Sequence, residues 1–230
     1  MSGDAGDELF AGYSRYTAAI ALWRRQARLP LAVRRGLASA LSSVSPPIWD
    51  SVFRVLGPAL PSRLRLPMPG DKLHKLAKLL AIDEPLPMYQ RLISLWHDPA
   101  RVVLGAQEPA TVMDIAARLP AGLDFIERMM LIDTLHYLPG DILAKVDRAS
   151  MAVSLEARVP FLDHEVVELA WRLPLAWKLR GGQGKRVLRE VLARYVPRAL
   201  FERPKMGFGI PIDAWLRGPL RDWAETLLAE

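Results

Sequence analysis

Residues 2–13 read Ser2-Gly3-Asp4-Ala5-Gly6-Asp7-Glu8-Leu9-Phe10-Ala11-Gly12-Tyr13. Small residues separate one acid from an acid pair, and an apolar run follows at once. Glycine lets backbone amides approach a ligand, and a helix opening near Asp7 adds its positive end, so the segment reads as a loop able to face a phosphate. Asp4, Asp7 and Glu8 put carboxylates where Mg²⁺ or a proton transfer could use them, since that ion is commonly held by one or two carboxylates together with substrate phosphates. An ordinary loop with acidic N-cap residues explains the same pattern. The loop opens at the second residue, so the strand or partner expected before it lies outside this sequence.

Outward from that loop the pattern is helical. Apolar residues recur at helical spacing from Asp7 to about Arg28 (Leu9, Phe10, Tyr13, Tyr16, Ile20, Trp23), and Pro30 ends the run. Helices are expected at 31–44 and 47–56, an irregular proline-rich connection at 57–70, a helix capped by Asp71 through Leu80, and one at 88–96 after the breaks at Pro85 and Pro87. Further helices are expected at 111–118 and 121–136, then an entry turn at Tyr137-Leu138-Pro139-Gly140 and a helix over 141–152. Residues 154–163 read as extended, with helices at 164–172, 184–195 and 212–229. Few segments alternate with the period of a strand.

Composition narrows the class. At 230 residues and 51% hydrophobic the chain can bury a real core. It has no run of 18 apolar residues to span a membrane, and an acidic loop stands where a signal peptide would begin. The absence of cysteine removes disulfides, thiolate zinc sites and a cysteine nucleophile. A cytoplasmic location is expected. A net charge of +6 favours anionic partners, but the basic residues are dispersed, so nucleic acid is disfavoured against a nucleotide or pyrophosphate.

Four more clusters could carry chemistry. Asp141, Lys145 and Arg148 stand at i, i+4 and i+7 on one helical face, either as site residues or as a surface salt-bridge ladder. Glu156 and Arg158 share one side of an extended segment, to line a cleft or to form a buried structural ion pair. Gly181-Gly182-Gln183-Gly184-Lys185 precedes a helix, an anion-binding arrangement that is not a Walker A loop, because Leu179 and Arg186 occupy positions that motif reserves. Arg203-Pro204-Lys205-Met206-Gly207-Phe208-Gly209-Ile210-Pro211 is a basic loop that could close over a site or simply connect. The histidines at 74, 97, 136 and 164 lack metal-ligand spacing, and no Gly-x-Ser-x-Gly elbow accompanies Asp163-His164.

In this order the clusters resemble the C-terminal synthetase domain of glutamine-hydrolysing asparagine synthetase. The resemblance rests on the acidic loop with Leu9-Phe10-Ala11-Gly12-Tyr13, on Leu138-Pro139 through Asp147-Arg148-Ala149-Ser150-Met151, on Ser154-Leu155-Glu156 through Phe161-Leu162-Asp163, on Gly184-Lys185 with Leu188-Arg189-Glu190, and on the 203–211 loop. It covers residues 2–217, the stretch 24–120 matching only in kind. It implies ATP-dependent adenylation of the aspartate side-chain carboxylate, with ammonia from glutamine then displacing AMP. It implies ATP and Mg²⁺ as cofactors: Ser2, Gly3, Gly6 and Lys185 on the nucleotide and its pyrophosphate, Asp7 on Mg²⁺, and Asp4 and Lys185 as catalytic groups. Glu8, Asp141, Lys145, Arg148, Glu156 and Arg158 would build or brace the aspartate side.

The departures set the expectations. The family's Ser-Gly-Gly-x-Asp-Ser pyrophosphate loop and its glutaminase domain are missing, and Ala5 and Ala11 replace glycines. Residues 1–230 are therefore expected to be a partial synthetase domain, inactive alone, with a homodimer allowed for the full-length enzyme. The expected fold is mainly α, the helical C-terminal part of an α/β ATP-pyrophosphatase domain. The competing readings are a related adenylating ligase, β-lactam synthetase-like or amidating another carboxylate, and a non-catalytic helical binding module.

Overall fold

The computed structural model describes residues 1–56, 68–94, 96, 102–103, 105–106, 122–202 and 210–229. The described chain is mainly helical, as the periodicity requires, and its β pairing is an isolated antiparallel bridge between Arg180 and Gln183. It divides into a unit of Met1–Arg189 and a unit of Glu190–Glu230. The helix expected at 111–118 and most of the basic loop, 203–209, lie outside the described residues.

In the first unit the single helix expected from Asp7 is two helices, α1 (Gly6–Leu9) and α2 (Ser14–Gln26). The break falls at Ala11, whose φ of 53° is left-handed, and the Gly12 amide closes the turn on the Asp7 carbonyl at 2.8 Å. Helices α3 (Leu31–Ser42), α4 (Pro46–Leu56), α5 (Pro69–Leu80) and α6 (Pro85–Ile93) follow, with α5 packed on both α3 and α4. Asp71 lies in the first turn of α5 and is not its cap; Met68 holds that position. Pro85 and Pro87 do not break the chain before a helix. They open α6, where the amide that proline lacks would have had no intrahelical partner.

Asp124 and Glu127 form a reciprocal capping box that starts α7 (Phe125–Ile132). The entry turn expected at 137–140 is absent: the chain runs on as a π-helical segment, Asp133–Leu143, and then as α8 (Ala144–Met151). Pro139 lies inside the π-helical segment. A proline clashes with the carbonyl four residues back in an α-helix, and a wider turn relieves the clash. After an irregular stretch and a 3₁₀ turn at Pro160–Leu162 come α9 (His164–Arg172), α10 (Leu175–Lys178) and α11 (Arg186–Leu192). Asp163 caps α9 by accepting from the Glu165 amide at 2.9 Å.

The second unit carries α12 (Arg198–Phe201), α13 (Ile212–Arg217) and α14 (Arg221–Leu228), so the helix expected over 212–229 is two. Arg198 bridges Glu190 at 2.7 Å and Glu202 at 2.8 Å within it.

The core explains why the acidic loop has a fixed position. One apolar cluster gathers Tyr16, Met88, Tyr89, Met129, Met130 and Ile132; a second gathers Ala5, Leu9, Phe10, Leu138 and Ala170. Leu9 is 0% exposed and Phe10 4%. Burying each contributes about 1.5–3 kcal/mol, which anchors the segment directly behind the acids.

Candidate functional site

The acidic loop is tied at both ends. The Ser2 amide donates to the Arg158 carbonyl at 2.7 Å, and the Ser2 hydroxyl donates to the Asp4 carboxylate. Ala5 caps α1 in a left-handed conformation, φ 66°, that glycine adopts more easily. Asp7 and Glu8 occupy the first turn of α1, where acids face the positive helix end.

Lys185 reaches this loop from the far end of the first unit. Its amide donates to the Phe10 carbonyl at 2.8 Å, and its Nζ donates to Asp7 Oδ2 at 2.8 Å. Two glycines make the approach possible. A Cβ on Gly184 would stand 2.0 Å from the Ala11 carbonyl oxygen, and one on Gly12 would stand 2.2 Å from Asp7 Oδ1 and 2.4 Å from Lys185 Cε. Gly6 presents its bare Cα to the Phe161 ring and to Lys185 Nζ. Asp4, Asp7, Gly6 and Lys185 thus gather around one loop, and the 158–161 segment borders it. Gly3 has open space around it.

The other sequence candidates stand differently. Asp141 and Lys145 pair with each other at 2.8 Å, and Glu156 and Arg158 pair at 2.9 Å. Both pairs are solvent-exposed, so the buried ion pair considered for Glu156 and Arg158 is not formed. Arg148 is exposed on α8. Glu8 points inward: it is 1% exposed and accepts from the Tyr13 hydroxyl at 2.6 Å. Burial pushes its carboxyl above the usual carboxylate range, against the Tyr13 hydrogen bond that lowers it.

A neighbouring network had no single-residue signal in the sequence. Asp133 is 0% exposed, and its Oδ2 accepts from Arg15 Nη2 at 2.6 Å, from Tyr16 at 2.6 Å and from Tyr89 at 2.7 Å. The Arg15 guanidinium lies 4.0 Å from the Tyr13 ring centroid and 4.5 Å from that of Tyr137. Burial, with the Asp133 charge, raises the pKa of both Tyr16 and Tyr89. Tyr13 joins the network to Glu8, and hence to the acidic loop.

Among the described residues no group of three or more acids and histidines is placed to hold a metal ion. In the acidic loop Asp7 offers one carboxylate, beside Lys185, which fits Mg²⁺ bound chiefly through phosphates and one or two protein acids, and does not fit an all-protein cage.

An acid and a lysine joined over a glycine contact suit a site that handles anionic, metal-bound ligands. Over residues 1–230 the sequence matches the family model described as asparagine synthase, and the chain belongs to that family. It is 38% identical over 229 residues to a Mycobacterium tuberculosis (strain H37Rv) protein named "Putative asparagine synthetase (glutamine-hydrolyzing)", covering 97% of this chain and 31% of that protein. It is 38% identical over 105 residues to "Asparagine synthetase (glutamine-hydrolyzing) 1" of Bacillus subtilis (strain 168), covering 46% of this chain and 17% of the relative. A third similar protein, "Asparagine synthetase (glutamine-hydrolyzing) 3" of the same strain, is 28% identical over 109 residues, 47% of this chain and 18% of its own. The chain therefore spans less than a third of the length of these relatives. No solved structure matches it.

Proposed function

We propose that this chain supplies the lysine side of the synthetase site in an ATP-dependent amidotransferase that makes asparagine, as the helical part of an α/β ATP-pyrophosphatase domain. In this reading an aspartate side-chain oxygen attacks the α-phosphorus of ATP and pyrophosphate leaves. Ammonia released from glutamine then attacks the acyl carbon, and AMP departs. The observation that carries the reading is the 2.8 Å contact between Lys185 Nζ and Asp7 Oδ2, made by residues 178 apart in sequence.

Each residue has a task. Lys185 supplies fixed positive charge where phosphate charge grows, the most effective use of a cation in catalysis. Asp7 is the carboxylate that would hold Mg²⁺, which when bound neutralises the pyrophosphate. Ser2 and Gly3 offer the nucleotide a loop free of bulk, and Gly6 leaves room for Lys185 Nζ to reach that loop. Asp4 is the acid assigned to the acyl-transfer step, taking a proton from the attacking ammonia. Glu8, held by Tyr13, and the exposed Asp141, Lys145, Arg148, Glu156 and Arg158 belong to the aspartate side or its supports.

The test is aspartate-dependent exchange of labelled pyrophosphate into ATP by this chain joined to an upstream half carrying a Ser-Gly-Gly-x-Asp-Ser loop. Exchange that requires aspartate, and is lost in Lys185→Ala, is expected. Exchange driven by a different carboxylate, and not by aspartate, would transfer the reading to a related adenylating ligase.

A further inference from the structure

Beside the Gly12–Lys185 contact, the turn between α1 and α2 and the loop before Lys185 line an open cavity of about 370 Å³. Its wall includes Tyr13, Ser14, Thr17, Leu179, Arg189 and the Gly181–Gly184 loop. That volume is within the range of small-molecule sites. The lining carries one arginine and no acid, so its field favours an anion.

The polar groups at this wall are only partly used. Arg189 has its Nε buried without a hydrogen-bond partner. The turn's two backbone bonds join Arg180 and Gln183 reciprocally, at 3.1 and 3.0 Å, and do not engage the amides of Gly181 and Gly182. Those two glycines have φ of 59° and 81°, and a Cβ on either would meet nothing within 4 Å. The Thr17 hydroxyl already donates to the Ser14 carbonyl at 2.9 Å, which leaves the exposed Ser14 hydroxyl as the donor at the mouth. The Tyr13 ring and Leu179 add apolar surface.

We propose that this cavity is a second anion site, distinct from the Asp7–Lys185 pair, that takes a phosphate monoester of a small polyol. The phosphate sits on the Arg189 guanidinium and the Ser14 hydroxyl, a charge-assisted pairing that arginine makes with two parallel bonds. The polyol fills the remaining volume against the Gly181–Gly184 backbone. Because Gly184 is pressed on Ala11 and Lys185 is bonded to Phe10, an occupant that steadies this loop also steadies Lys185. The site is thus placed to regulate the lysine without touching it, and it stands independently of the activity proposed above.

The experiment titrates the 230-residue chain with ribose 5-phosphate, inorganic phosphate and ribose, following backbone amide shifts by NMR. Saturable shifts at Gly181, Gly182, Ser14 and Lys185 with ribose 5-phosphate are expected, with weaker binding of phosphate and none of ribose. Arg189→Gln should weaken binding by about tenfold or more, the usual consequence of losing a charged hydrogen-bond donor. Ser14→Glu, at an exposed helix start that accepts an acid, should weaken it comparably by repulsion. Lys185→Gln should leave it intact. Shifts that survive both Arg189→Gln and Ser14→Glu, or that vanish in Lys185→Gln, overturn the proposal by placing the anion elsewhere. Equal affinity for inorganic phosphate overturns the monoester assignment.

Discussion

Lys185 Nζ lies 2.8 Å from Asp7 Oδ2, and the room for that contact is the missing side chain of Gly12. The pair is partly buried, the side chains being 30% and 23% exposed. It therefore exceeds the worth of a solvent ion pair without carrying the full cost of a dry one. A double-mutant cycle of Lys185→Gln and Asp7→Asn, read by urea denaturation of the chain, should give a coupling of about 0.5–2 kcal/mol. In the chain joined to an upstream half carrying a Ser-Gly-Gly-x-Asp-Ser loop, Lys185→Ala should lower turnover by roughly 100- to 1,000-fold. Asp7→Asn should instead shift the Mg²⁺ dependence, which a steady-state metal titration reads.

Gly12→Ala and Gly184→Ala should part company. The new methyl at position 12 meets side-chain atoms of Asp7 and Lys185, which can swing away. The expected result is a broken ion pair with little loss of melting temperature. At position 184 the methyl meets the Ala11 carbonyl, which belongs to the backbone and cannot yield alone. That variant should lose about 1–3 kcal/mol of stability, measurable by thermal denaturation.

Asp133→Ala should be among the most destabilising single changes in the first unit. It strands Arg15 beside the rings of Tyr13 and Tyr137, and removing one partner of a buried pair costs about 3–5 kcal/mol. Tyr89→Phe removes one hydrogen bond of several and should cost about 1 kcal/mol. Tyr16 and Tyr89 hold their protons above the ordinary value of 10.0. Folded groups with raised pKa contribute stability below the unfolded value and lose it as pH climbs. Denaturant midpoints should therefore fall above about pH 10, with the phenolate absorbance lost in Tyr16→Phe and Tyr89→Phe being the part that rises only on unfolding.

Lys178 offers the opposite sign. It is 0% exposed, its amine has no hydrogen-bond partner, and it lies 4.9 Å from the Trp171 ring centroid. Burial lowers its pKa below 10.5, with Glu127 and Asp124 only partly opposing. Between the folded and unfolded values the unfolded chain binds more protons, so this lysine's contribution improves as pH rises toward 10.5. Lys178→Met should raise stability at neutral pH, and its advantage over the wild type should shrink with alkalinity. A series of urea midpoints on both proteins isolates that difference from the tyrosine effect.

Asp7 and Lys185 were each singled out by a local pattern, an acid pair after glycine and a lysine after Gly184, and the fold brings the two side chains together. The mainly helical character was legible from periodicity, but the breaks that divide 7–28 and 212–229 into two helices each were not. The Asp133 network was not, because Arg15, Tyr16 and Tyr89 each look like ordinary helix residues and meet Asp133 only through packing across 44 to 118 residues. Pro139 misled for a related reason. Proline excludes a regular α turn, but the sequence carries no mark of the wider π turn that admits it. The exposed Asp141–Lys145 contact fits the surface-ladder alternative read from the spacing, whereas the exposure of the Glu156–Arg158 pair could be learned only from the fold.

The Asp7–Lys185 contact also acts as an internal counter-ion. In the free chain each charge is answered by the other, so a dication arriving alone must evict an ammonium, and an oligophosphate arriving alone must evict a carboxylate. Arriving together, the two exchange partners with the resident pair, and no protein charge is left unanswered. On the proposed reading, such a pair would favour the complex of dication and oligophosphate over either ion singly, a form of selectivity that comes from occupying the seat beforehand.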